Sequence, residues 1–279
     1  MGIALALASA LVFGGADFAG GIATRDNGAT YPVVFLSQCI GLLTVLLVAP
    51  FIATSHLAAS DLGWGAIAGI IGGTGLLFFY RALALGTMSI VSPVTAVVAA
   101  LVPVVVGIAQ GERPALWASI GIVVAIGALA LFGGGDHGDI HGTILQSLMP
   151  AVLAGFGFGA YFALVAQAHA TSGLWPLVAS RATSCVLLGT GALIRKAPLR
   201  IRRDARVTLV LAGSGDIAAN ALFLLASRRG DLAIVGVIAS LYPASTLVLA
   251  RFILHERLGR LHQVAIALAT IAVVLIANG

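Results

Sequence analysis

The chain has 279 residues, 60% of them hydrophobic and only 9% charged, which is too little polar surface to enclose a water-soluble globule, where charged residues make up about a quarter of the total. A net charge of +5 would suggest nucleic acid in a soluble protein, but six of the fifteen basic residues crowd into one connecting stretch, Arg195 to Arg206. That distribution orients a membrane protein and does not form a nucleic-acid surface.

Apolar runs between polar breaks predict spans at about 2–22, 32–53, 62–85, 88–110 and 115–133, then at about 143–167, 176–194, 207–227, 232–254 and 261–277. Each is near the roughly 20 residues needed to cross hydrocarbon as a helix, and the period-two alternation of strands is absent. The expected fold is an all-α polytopic membrane protein of ten transmembrane helices. The first run has no basic segment before it and exceeds the apolar length of a secretory signal, so it is expected to be a retained span. Trp64, Trp117, Trp175 and Tyr31 fall at span starts, where amphipathic rings sit at headgroup level. Cys39 and Cys185 lie inside apolar runs, and two cysteines define no disulfide framework or metal site.

The run from Gly86 to Arg113 returns 144 positions later as Gly230 to Arg257, and the chain's two glutamates, Glu112 and Glu256, fall in the same register. Gly15 with Gly159, Phe18 with Phe162, Pro32 with Pro176, Gly69 with Gly213 and Phe79 with Phe223 match at that offset too. Residues 1–141 and 142–279 are therefore expected to be two copies of one unit, joined by the 133–142 linker. Five spans per unit is an odd number, so the copies must cross the membrane in opposite senses. Inverted repeats characterise secondary transporters, whose site lies near the midplane between the halves. Gly65, Gly69 and Gly73, and likewise Gly155 and Gly159, recur every fourth residue and predict close helix packing.

Phe13 to Phe18, FGGADF, resembles the first-span Gly-x-Asn-Phe signature of the EamA family of the drug/metabolite transporter superfamily, and the two runs ending in GER and HER resemble that family's twice-repeated span ending in Glu. The resemblance covers essentially the whole chain. It departs at Asp17, where the family commonly has asparagine, and at Ala99, where its first copy often has the proline that Pro243 keeps in the second. The resemblance implies ten helices, a central cavity open to one side, and transport of small metabolites or drugs, usually outward.

Charges within spans cost about 2.5 to 3.5 kcal/mol on insertion scales, so each needs a reason. Four stand out: Asp17, Arg81, Arg181 and Asp216. Asp216 is near mid-span and shares a helix face with Asn220, one turn on. The path of the chain allows two ion pairs, Asp17 with Arg81 and Arg181 with Asp216, which either bind substrate and protons or merely pin helices together. Tyr80, Tyr161 and Tyr242 offer rings and hydroxyls suited to a mostly apolar pocket. Glu112 and Glu256 close spans beside arginines and are expected to cap or to meet solvent. The linker carries Asp136, His137, Asp139 and His141, but glycine and aspartate are ordinary linker residues, and no metal or cofactor is expected.

No HExxH, GxSxG or P-loop occurs, so an enzyme is not expected. The expected function is a secondary transporter in the cytoplasmic membrane, moving a small metabolite or drug-like solute, as an exporter coupled to protons. The alternatives are a membrane-embedded enzyme, a passive channel or a lipid-handling protein. Expected partners are a small-molecule substrate, the lipid bilayer and protons, with the chain as monomer or homodimer. The Arg195–Arg206 loop is expected to be cytoplasmic and both termini outside, whereas the resemblance implies cytoplasmic termini.

Overall fold

Lipid offers no partner for a backbone N–H or C=O, so apolar runs of this length must satisfy themselves as helices. The computed structural model describes residues 1–52, 54–85, 88–132, 141–253 and 260–278. They form α1 (Gly2–Asn27), α2 (Thr30–Val48), α3 (Ala59–Leu85), α4 (Met88–Ala109), α5 (Leu116–Phe132), α6 (His141–Val165), α7 (Trp175–Arg195), α8 (Arg206–Ser227), α9 (Leu232–Ala239), α10 (Tyr242–Ile253) and α11 (Arg260–Ala277). Six of these helices are long and apolar enough to span a bilayer by themselves, and the rest supply shorter apolar stretches. The expected linker residues Asp136, His137 and Asp139, and Glu256, lie outside the described residues, as do the side chains of His141 and Tyr80.

One span departs from expectation. The ninth is not a single helix: it breaks after Ala239 and restarts at Tyr242. Pro243 has no N–H to donate to the Ala239 carbonyl, and a proline ring clashes with a continuing turn. At the matching position of the first copy stands Ala99, and α4 runs unbroken from Met88 to Ala109. At the break the hydroxyl of Ser240 is buried with no hydrogen-bond partner among the described residues.

The most extensive helix pairs join the first half of the chain to the second: α3 packs on α6 and α7, α1 on α8 and α10, α4 on α6 and α9, α5 on α11, and α2 on α7 and α8. The halves interleave with the symmetry of an inverted repeat, α1 meeting α8 as α6 meets α3. Small residues permit it. A Cβ on Gly157 would come within 2.7 Å of the Gly75 Cα, so α3 and α6 cross in backbone contact. Gly69 rests on the Ser180 carbonyl of α7, and its repeat mate Gly213 would place a Cβ 2.6 Å from the Ser37 carbonyl of α2. Hydroxyls add polar contacts between spans: Ser9 donates to the Ala219 carbonyl (2.8 Å), Tyr31 to Leu188 (2.6 Å), Thr95 to Ala151 (3.1 Å) and Thr183 to Ala66 (3.0 Å). Such contacts and close packing stand in for the hydrophobic drive that lipid removes.

The end of the bundle that carries the chain termini is tied across the halves. Asp61, fully buried at the start of α3, accepts from the backbone N–H of His169 (2.9 Å), and its carboxylate lies 2.8 Å from the His169 ring nitrogen Nδ1. Arg228 fixes the same loop by donating to the carbonyls of His169 and Gly173 and to the Ser172 hydroxyl, and burial lowers its pKa from the ordinary arginine value. Glu112 accepts from the N–H groups of Leu232 (2.7 Å) and Ala233 (2.9 Å), capping α9.

Candidate functional site

Between the halves lies a cavity of about 730 Å³, counted with the space that opens to solvent. Both halves line it: α1, α2, α3 and α4 from one, α6, α7, α8 and α10 from the other. Its wall is mostly apolar and aromatic. Phe13 packs edge-on against Phe162 (centroids 5.8 Å apart) and beside Tyr242 (6.3 Å), Tyr161 packs edge-on against Phe162 (5.9 Å), and Phe162 stacks on Phe223 at 4.3 Å. Phe79 and Phe158 form a second pair at 5.7 Å.

The polar groups converge on one ion pair. Arg181 of α7, only 7% exposed in its side chain, pairs through Nη2 with Oδ2 of Asp216 on α8. Its Nη1 donates to Oε1 of Gln38 on α2. The Ser184 hydroxyl donates to the same Gln38 oxygen at 3.1 Å. Asn220, one turn beyond Asp216, donates from Nδ2 to the Asp216 carbonyl at 2.8 Å and lies 3.4 Å from Oδ1. Ser180 donates to the Tyr161 hydroxyl at 3.4 Å. A buried guanidinium needs both its countercharge and its hydrogen bonds met, and here α2, α7 and α8 supply them together. Nε of Arg181 is buried with no partner among the described residues.

Of the residues expected from the sequence, Asp17, Tyr161, Arg181, Asp216, Asn220 and Tyr242 all line the cavity. The expected pair of Asp17 with Arg81 does not form. Arg81 is exposed near the end of α3 and outside the cavity lining, while Asp17 faces the same space as Asp216. Sequence fixes how far along its span a residue lies but not which way around the helix it points, and Arg81 points out. Gln38, Ser180 and Ser184 were missed. Gln38 is the one amide in the α2 sequence, and that isolation in an apolar span was the available signal; the serines carried none, because serine is common at helix crossings.

Interleaved five-span halves around a central cavity with buried charge define a multi-pass membrane protein of the carrier kind. The sequence model of the EamA-like transporter family matches the chain twice, over residues 1–134 and 145–278, and the chain belongs to that family. A crystal structure, described simply as that of a protein, shares the fold at a TM-score of 0.82 and 14% identity, covering 99% of this chain and 98% of its own. A search of curated proteins finds no match.

Proposed function

We propose that the protein is a proton-coupled secondary transporter of the cytoplasmic membrane that exports a small, largely apolar metabolite or drug-like solute by alternating access between its two halves. The observation that carries this reading is the cavity itself, walled by both halves and holding the Arg181–Asp216 pair and the carboxylate of Asp17. Ionisable groups at such depth are functional candidates by default. Asp216 is 33% exposed in its side chain, so it is open to a proton or solute while still held by Arg181.

The test is flux in proteoliposomes under an imposed pH gradient. The wild-type protein is expected to move a solute against its gradient, and Asp216→Asn, checked separately for insertion, is expected to lose the response to pH. Parental flux with the parental pH dependence in Asp216→Asn would make the carboxylate structural. A solute that only runs down its own gradient would favour a channel.

A further inference from the structure

From the charge inventory of the cavity we infer that its solute is an organic monocation with an apolar or aromatic body, and that Asp17 is the counter-ion that receives its ammonium group. The inference rests on the transporter reading above and names the class of solute that site takes. Three lining residues are charged: Asp17, Arg181 and Asp216. Arg181 and Asp216 neutralise one another, and Gln38 holds the guanidinium from the other side. Asp17 stands on α1, which packs along α8, and has no hydrogen-bond or ion-pair partner among the described residues. Among the described lining residues, with both carboxylates ionised, the formal balance is one negative charge.

An unpaired carboxylate facing an apolar space is matched either by a proton or by a cation, and an organic cation that enters the cavity displaces the proton. A divalent metal does not fit, since no group of three His, Cys, Asp or Glu side chains comes together among the described residues, and hard cations take six or more oxygen ligands. An anionic solute would have to compete with Asp216 for Arg181 and would meet the Asp17 carboxylate as well. An organic ammonium fits both features of the wall, because aromatic faces attract a cation electrostatically while their area covers its apolar body. Phe13, Phe158, Phe162 and Tyr242 provide those faces, with Phe79 and Tyr161 beside them.

The probes are three molecules of one shape: 4-phenylbutylammonium, 4-phenylbutanol and 4-phenylbutanoate. Each is measured for equilibrium binding to the purified full-length protein in detergent at neutral pH, with no gradient. The ammonium is expected to bind at least about tenfold more tightly than the alcohol, about 1.4 kcal/mol. Asp17→Asn is expected to bring the two within about twofold, Asp17→Glu to keep the preference, and Asp204→Asn, on the exposed basic loop, to keep it as well. Thermal unfolding of each variant shows that it is folded. Equal affinity for ammonium and alcohol, absence of ammonium binding, a preference that survives Asp17→Asn, or tightest binding of the butanoate would each overturn the inference. Because binding is read without flux, its failure leaves the transporter reading standing, and a failed flux assay leaves the binding preference standing.

Discussion

Arg181 is the residue whose surroundings are most fully specified: Asp216, Gln38 and the packed faces of α2 and α8 all depend on where its guanidinium sits. Removing one member of a buried pair strands the other, at a cost of about 3 kcal/mol or more, whereas replacing both with apolar side chains of similar size is often close to neutral. Asp216→Leu alone is therefore expected to lower stability by about 2 to 3 kcal/mol, toward the low end because Asp216 is partly open to the cavity. Arg181→Met combined with Asp216→Leu is expected to recover most of that loss in a chemical-denaturation midpoint while leaving pH-driven flux absent. A double variant no more stable than the single would mean the pair contributes nothing specific to the fold. Both residues were legible in the sequence because charge is so rare in these spans. Ser184 was not, since a serine bonds back to its own helix and occurs in membrane spans without a role, and Gln38 was marked only by being the one amide of its span.

Helix ends and helix crossings decide how the elements lock together. Glu112 reaches from the end of α4 to the first N–H groups of α9, and Gly107 gives it room, since a Cβ there would lie 2.8 Å from the Glu112 carboxyl carbon. Losing a side-chain cap costs about 1 to 2 kcal/mol. Glu112→Ala is expected to lower the thermal midpoint by that equivalent and to speed hydrogen exchange at Leu232 and Ala233, while Arg113→Ala, exposed beside it, leaves both unchanged. At another crossing, where α2 packs on α7, the free cysteines Cys39 and Cys185 lie near one another. Mild oxidation with copper phenanthroline is expected to join them within one chain and to slow flux, and Cys39→Ala to abolish both effects; no cross-link would place α2 and α7 differently. The paired glutamates and Pro243 could be seen in the sequence, and so could the inverted pairing of spans. That Glu112 caps a helix of the other half could not, because its partners lie 120 residues away and only the interleaving of the halves brings them together.

The whole molecule has two unlike ends, and their difference connects its orientation to its conformational state. At the end with the chain termini, Asp61 meets His169, Glu112 caps α9, Gln110 donates to Gln167 at 3.1 Å and Ser55 to the Thr171 carbonyl at 3.1 Å, every contact joining the two halves. Alternating access must break these ties for that end to open. The opposite end carries the basic stretch from Arg195 to Arg206, docked where the Arg202 N–H donates to Asn27 at 3.0 Å. Lysine and arginine bias loops toward the cytoplasm, so the basic end is expected inside and the tied end outside, where these ties would have to break before an exported solute could leave. Fluorescent-protein fusions after Arg206 are expected to glow, and alkaline phosphatase fused at Gly279 to be active. Replacing Arg200, Arg202 and Arg203 with glutamine is expected to weaken both signals together, because the flanking loops add little opposing charge. An active phosphatase after Arg206 would invert the assignment: the tied end would then face the cytoplasm, and its ties would have to break for a solute to be loaded from that side.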